Sequence, residues 1–344
     1  MDNIGNIDGN FGVVITDVLN ELQKTAVNTL LEKGKTDSEI EAYLESDEYG
    51  TIYMESQHMI INGFSESLLS HINDDAEYEK NEQELFSQHL HSIWGLGIAW
   101  MKQYRRKCFD ICEGWGWYIN QSPVISDKCN VFNALSAIHG KAMLVYAEII
   151  CLLENGFPDG AYAHYRMLYE LWAVAEFLCE DTDDVAIAYI QSIDNKSDNE
   201  AGHYRWAKTS KRFSDKDEDV TIFSIVSEAH KTFKSSIKEN VSNNRLKKLY
   251  TFPNKIIHPS AEGVFRRTSR SVENGITIGS ADNGLATPAI NSTMTMFNIT
   301  QMFLSMVVNP VSAIGINILN DIVGKRIIPC FEDVEKSMDE GQKN

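Results

Sequence analysis

Proline is scarce in this chain, 7 in 344 residues, so long helices meet few interruptions. Cysteine is equally sparse and poorly placed for chemistry. Cys108, Cys112, Cys129, Cys151, Cys179 and Cys330 form no C-x-x-C pair and no set with histidine at zinc-finger spacing. That argues against a disulfide framework and a structural zinc site, and the six read as buried thiols packing as small hydrophobes. Cys108 and Cys112, at i, i+4 on one helix face, are the nearest to a redox pair. His89 and His91 stand at i, i+2 on different faces and cannot chelate a metal together. There is no Gly-rich phosphate loop, no repeat of solenoid length and no low-complexity linker, so P-loop and Rossmann chemistry drop out. Neither a cofactor nor a metal is called for. The start, MDNIGNIDGN, lacks the basic residues and apolar run of a secretion signal, which gives a cytoplasmic expectation.

What is present is a large apolar complement, 43% of the residues, and a formal charge of −18 that is unevenly distributed. Residues 36–85 hold 14 acids against one base, Lys80, a balance of −13. Residues 205–270 hold 15 Lys and Arg against seven acids, a balance of +8. Such polarity suits phosphate binding by the second stretch, internal pairing of the two, or simply two solvated faces. From Leu285 to Asn320 no charged residue occurs. Asn298, Gln301, Asn309, Pro310, Ser312 and Asn317 interrupt that run and no basic cluster flanks it, so it reads as a core or dimer helix kinked at Pro310 rather than a membrane span.

Periodicity predicts helices almost throughout. Val14, Val18, Leu22 and Ala26 recur at four-residue intervals before a break near Gly34, and Thr36-Asp37-Ser38-Glu39 offers a helix start. A long helix is expected over 82–118, ended by Gly114 and Gly116, and another over 128–154 with His139 near its apolar face as a core histidine. Asn155-Gly156-Phe157-Pro158-Asp159 reads as a stop and a restart, with Gly156 in the left-handed position and Asp159 as the next cap. The helix of about 160–180 is apolar almost all round and therefore central. Helices over 182–213 and 220–238 follow. Asn274-Gly275 between alternating residues predicts a hairpin over 271–278, and Thr287-Pro288 opens the uncharged helical region. The expected fold is an all-α multi-helix bundle with one small β-hairpin near 266–280. An acidic helical region, 1–85, precedes a bundle core, 86–344.

Two constellations carry the polar chemistry. Tyr162, Arg166 and Glu170 recur at i, i+4, i+8 on the central helix, where charges need partners. Tyr250 through Ser260 (YTFPNKIIHPS) puts His258 at a helix end, with Asn254 and Lys255 one turn back and Pro253 opening the turn. An imidazole in that position can serve as acid or base, or can hydrogen-bond the last carbonyls of its helix.

Ala142-Met143-Leu144 through Asn155-Gly156-Phe157-Pro158-Asp159-Gly160-Ala161, then Tyr165 to Glu170, and finally Ile257-His258-Pro259-Ser260, together resemble a bacterial domain-of-unknown-function family, number 5677, over roughly 130–265. That resemblance implies an all-α bundle with Arg166, Glu170 and His258 as matching polar positions, and no known reaction. Asn254 to His258 also resembles the N-x-x-x-H half of the motif of HEPN ribonucleases, all-helical dimers of toxin and phage-defence systems. Pro253 stands where that family has arginine, a role left to Arg166 or Arg245. The leading expectation is a bacterial defence or toxin-like effector that binds or cleaves RNA as a metal-independent ribonuclease. In it Arg166 holds a phosphate, His258 exchanges a proton, Glu170 completes the site, and Lys255, Tyr250, Asn254 and Tyr162 support the substrate. The alternative is a non-catalytic interaction or regulatory module with a buried Arg166–Glu170–His258 network. A homodimer or protein contact through the C-terminal helices, and no membrane, complete the expectation.

Overall fold

The computed structural model describes residues 11–119, 127–193, 203–215, 217–236, 243–258 and 279–341. Among them the architecture is all-α: eleven helices and no strand, with a lone bridge between His203 and Thr221. The β-hairpin expected near 266–280 falls almost wholly on residues 259–278, which lie outside the described residues. The chain divides into two compact units, Met1–Glu84 and Leu85–Asn344.

In the first unit α1 (Phe11–Glu32) stops before Gly34, whose φ of 74° is the left-handed turn that glycine tolerates. Thr36 opens α2 (Asp37–Leu44), and its backbone N–H donates to Glu39 Oε2 at 2.9 Å, half of a reciprocal capping box. Helix α3 (Asp47–Ile119) begins one turn after α2 ends and carries residues of both units. Gly114 and Gly116 do not end it, because the buried Trp115 between them donates its indole N–H to the Val307 carbonyl at 3.0 Å and packs against Phe132 and Phe303. Tertiary packing there outweighs the roughly 1 kcal/mol helix cost of each glycine.

The second unit is built on a helical hairpin, α4 (Cys129–Glu154) and α5 (Pro158–Cys179). Buried residues recur along α4 from Val131 through Leu135, Ile138, Ala142, Val145, Ile149 and Leu153, and α5 is buried along most of its length. Helix α6 (Asp183–Gln191) packs on α4, while α7 (Ile222–Ser236) and α8 (Asn243–Ile257) pack on α5. Helix α9 (Ala286–Ser305) lies on both α4 and α5, followed by α10 (Pro310–Ile322), a π turn (Val323–Ile327) and α11 (Ile328–Gly341). Phe331 of α11 stacks on Trp94 of α3, closing the core. Each such aromatic or aliphatic burial contributes about 1.5 to 3 kcal/mol.

Gly156 makes the hairpin possible. Its φ is 74°, and a Cβ there would sit 2.7 Å from the Ala281 carbonyl oxygen and 2.8 Å from the Phe86 ring. The Ala281 N–H donates to the Gly156 carbonyl at 2.7 Å, while Trp94 donates to the Asp282 carbonyl and His89 meets its carboxylate.

Several boundaries differ from expectation. Pro158 takes the first position of α5, so Asp159 lies in the first turn rather than at the cap. The helix expected over 182–213 is only α6 and, later, a 3₁₀ turn at Arg205–Thr209. Pro310 starts a separate helix instead of kinking one: Asn309 accepts the Ser312 N–H at 2.9 Å and caps α10. Among the described residues one helix, α4, has the length and apolarity of a membrane span, and the apolar residues named above are buried within the bundle.

Candidate functional site

The half-buried charges of α5 resolve into a polar seam where α8 packs on it. Arg166 Nε donates to Glu170 Oε1 at 2.9 Å, one helical turn away, and the Tyr250 hydroxyl donates to the same oxygen at 3.1 Å. The Arg166 guanidinium also lies 5.8 Å from the centre of the Tyr250 ring. Both side chains of the ion pair keep 25% of their exposure, so the pair is neither a surface bridge nor a sealed one. Burial works against the Arg166 charge, but the hydrogen bond and charge of Glu170 outweigh it and raise its pKa. The Tyr250 phenol is pushed up to about 12 by burial and then by the Glu170 carboxylate. Tyr204 is shifted up in the same way, by burial first and Glu170 second.

Aromatic rings extend the seam along α5. The Tyr169 hydroxyl meets His230 Nε2 of α7 at 2.8 Å, and Tyr169 also packs on Tyr250 and Trp172. Trp172 Nε1 and Asn254 Oδ1 are buried without a hydrogen-bond partner among the described residues. Tyr162 is buried against the Phe252 ring, 5.4 Å between centres.

The residues singled out from sequence therefore divide. Arg166, Glu170 and Tyr250 converge, with Tyr162 one turn before Arg166 on α5 and Asn254 one turn after Tyr250 on α8. His258 stands exposed past the end of α8, where its backbone N–H donates to the Asn254 carbonyl at 3.1 Å; among the described residues its side chain makes no hydrogen bond to Arg166 or Glu170. Lys255 is exposed, and the Arg245 side chain lies outside the described residues. Pro253 is inside α8 rather than at its start, which keeps Tyr250 and Asn254 on one continuous helix. Tyr250 thus takes the place expected of His258 as the third member of the network.

Two polar groups escaped the sequence reading. Glu176 is buried on α5, and burial followed by the Glu180 charge pushes its carboxyl up to about 7, against the pull of Arg212. A single acid among Trp172 to Leu178 was the available signal. His230 lay in an ordinary amphipathic pattern and gave none. His139 sits in the core as expected, with Nε2 3.1 Å from the Thr300 hydroxyl and its ring stacked on Phe303. Burial lowers its pKa to about 4 and pushes up the thiol of Cys112, whose Sγ lies 3.8 Å from His139 Nε2, so burial favours the neutral imidazole beside a neutral thiol. Among the described residues no group of three or more His, Cys, Asp or Glu could hold a metal ion.

The fold and seam describe an all-α bundle with a cross-helix Arg–Glu–Tyr network. Residues 132–275 match the model of DUF5677, a family of unknown function, and the resemblance read over roughly 130–265 holds across that segment. No curated protein and no solved structure matches the chain. The HEPN resemblance gains nothing from these comparisons.

Proposed function

We propose that this chain is an RNA-binding effector, of the defence or toxin-like kind read from its sequence, whose binding face is the outer side of α8. The observation that supports it is the composition of that face. Lys247, Lys248, Phe252, Lys255 and His258 occupy one contiguous sector of the helix and all are exposed, while Leu246, Tyr250 and Pro253 turn inward. Lys247 and Lys248 carry no ion pair among the described residues. Phe252 keeps 44% of its exposure, an apolar ring beside cations, the pairing by which a base stacks while its phosphates are neutralised. Strand cleavage receives less support than binding, because the Arg166 cation is already engaged by Glu170 and Tyr250 and His258 is not joined to it.

Fluorescence anisotropy of the full chain with a labelled oligouridylate tests the proposal. Binding is expected at low salt, with a slope of log affinity on log salt of about −2 if three cations contact phosphate. Lys247→Glu with Lys248→Glu should abolish it and Phe252→Ala weaken it about tenfold. No binding by the folded chain at low salt overturns the reading.

The second reading is the non-catalytic interaction module. It is supported by Glu170 of α5 accepting the Tyr250 hydroxyl of α8 while Arg166 fixes the same carboxylate, and by Ile314 and Ile318, exposed one turn apart on α10.

A further inference from the structure

The junction of α2 and α3 presents two unlike sides. On one side Tyr43, Tyr49 and Tyr53 pack ring to ring, with centres 5.8 and 6.3 Å apart, and Ile40 and Tyr49 are buried. The turn itself is fixed by Ser46, whose hydroxyl donates to the Tyr43 carbonyl at 2.6 Å and accepts the Tyr49 N–H at 3.2 Å. The other side is an open cleft of about 1100 Å³, whose lining combines Leu44, Met54 and Met59 with Glu45, Asp47 and Glu55, beside Ser46, Thr51 and His58. Gly50 is part of its lining, and a Cβ there would meet nothing within 4 Å. Met54 and Met59 keep 53% and 64% of their exposure. Glu45, Asp47 and Glu55 form no ion pair among the described residues.

A cleft that sets exposed methionines among unpaired acids states what it accepts. Its volume exceeds that of small-molecule sites, which range over roughly 300–1,000 Å³, and it is open rather than enclosed and cannot wrap a small ligand. Exposed methionines supply flexible, polarisable contacts that adapt to a partner's side chains. A second copy docking face to face would oppose two stretches that each carry −13 over residues 36–85. We propose that this cleft is a docking site for a basic amphipathic helix of another protein. Apolar side chains one turn apart on that helix enter between Leu44, Met54 and Met59, and its flanking Lys or Arg residues meet Glu45, Asp47 and Glu55. The site is independent of RNA binding along α8, and a failure of one leaves the other standing.

The test uses the full chain and a fluorescein-labelled peptide of leucine and lysine patterned as an amphipathic helix, beside a peptide of the same composition with the pattern scrambled. The patterned peptide should bind more tightly by about tenfold or more, since only it aligns apolar anchors with the cleft. With methyl-labelled methionine, the Met54 and Met59 resonances should shift on titration and those of the buried Met101 and Met296 should not. Met54→Gln with Met59→Gln should weaken binding about tenfold, as should the triple reversal Glu45→Lys, Asp47→Lys, Glu55→Lys, whereas reversal of Glu77, Glu79 and Glu82 should change it less than about twofold. Equal binding of the two peptides, unmoved Met54 and Met59 resonances, or a chain dimer dissolved by the methionine substitutions would each overturn the proposal. The last would assign the cleft to a second copy.

Discussion

The two units use similar helices to opposite ends. In Leu85–Asn344 the aromatic residues are largely consumed by the core: Trp94, Trp115, Tyr104, Tyr146, Tyr162, Tyr165 and Phe177 are almost completely buried. In the first unit Met54, Met59, Ile61, Leu69 and Ile72 stay exposed on α3, and Ile40 and Tyr49 are the only hydrophobic residues buried among those described. Helix formation is therefore no guide to core formation. A helix with acids in most turns remains a helix, but its apolar residues await a surface to meet.

The largest contrast between the two units should come from truncating one large apolar side chain in each. Phe177→Ala should cost about 3 to 5 kcal/mol, because it empties a closed site stacked on Phe213 and edge-on to Trp206, whereas Met59→Ala should change stability by less than about 0.5 kcal/mol. Urea unfolding followed by tryptophan fluorescence checks the first, since all six tryptophans lie in the second unit. Far-UV circular dichroism, which sees both units, checks the second. A large effect of Met59→Ala would show that the exposed face is already covered.

A smaller effect, also confined to the core, follows from Glu176. Its carboxyl sits near 7 in the folded chain against an ordinary value of 4.5, so the unfolded chain releases that proton first and stability is lost as pH rises from 4.5 through 7. Glu176→Gln should therefore stabilise the protein by about 2 to 3 kcal/mol at pH 8 and by little at pH 4. Denaturation curves at the two pH values should diverge in that direction, and an equal gain at both would remove the ionisation account.

The smallest expected change concerns the seam. Full burial of the Arg166–Glu170 pair would make Arg166→Ala cost about 3 to 5 kcal/mol, but a quarter of each side chain remains exposed and Tyr250 still serves Glu170, so about 1 to 2 kcal/mol is expected. Tyr250→Phe combined with Arg166→Ala in a double-mutant cycle should show coupling. Additive losses would mean that α8 is held by its apolar side alone.

Much of the second unit was legible in its sequence. The α4 stripe, the left-handed Gly156 and the central place of α5 follow from short-range periodicity and from backbone sterics, both written locally. Boundaries were lost where distant contacts overrule local preference, as at Gly114 and Gly116, where Trp115 is anchored to Val307, and at Pro253, which α8 accommodates inside. The candidate site was half legible. Arg166 and Glu170 announced each other at four-residue spacing, but the partner from α8 was misassigned to His258.

What the sequence determined by itself is therefore the helical class, the hairpin turn and the separation of an acidic region from a basic one, since spacing, φ preference and formal charge are properties of neighbouring residues. Only the tertiary structure decided that Tyr250 rather than His258 completes the Arg166–Glu170 pair, and that Met54 and Met59 line an open cleft. Residue 250 lies 80 positions from residue 170, and which side of α8 turns inward depends on how the whole helix buries Leu246, Tyr250 and Pro253. No local pattern encodes that choice, because it is made by packing free energy summed over the helix.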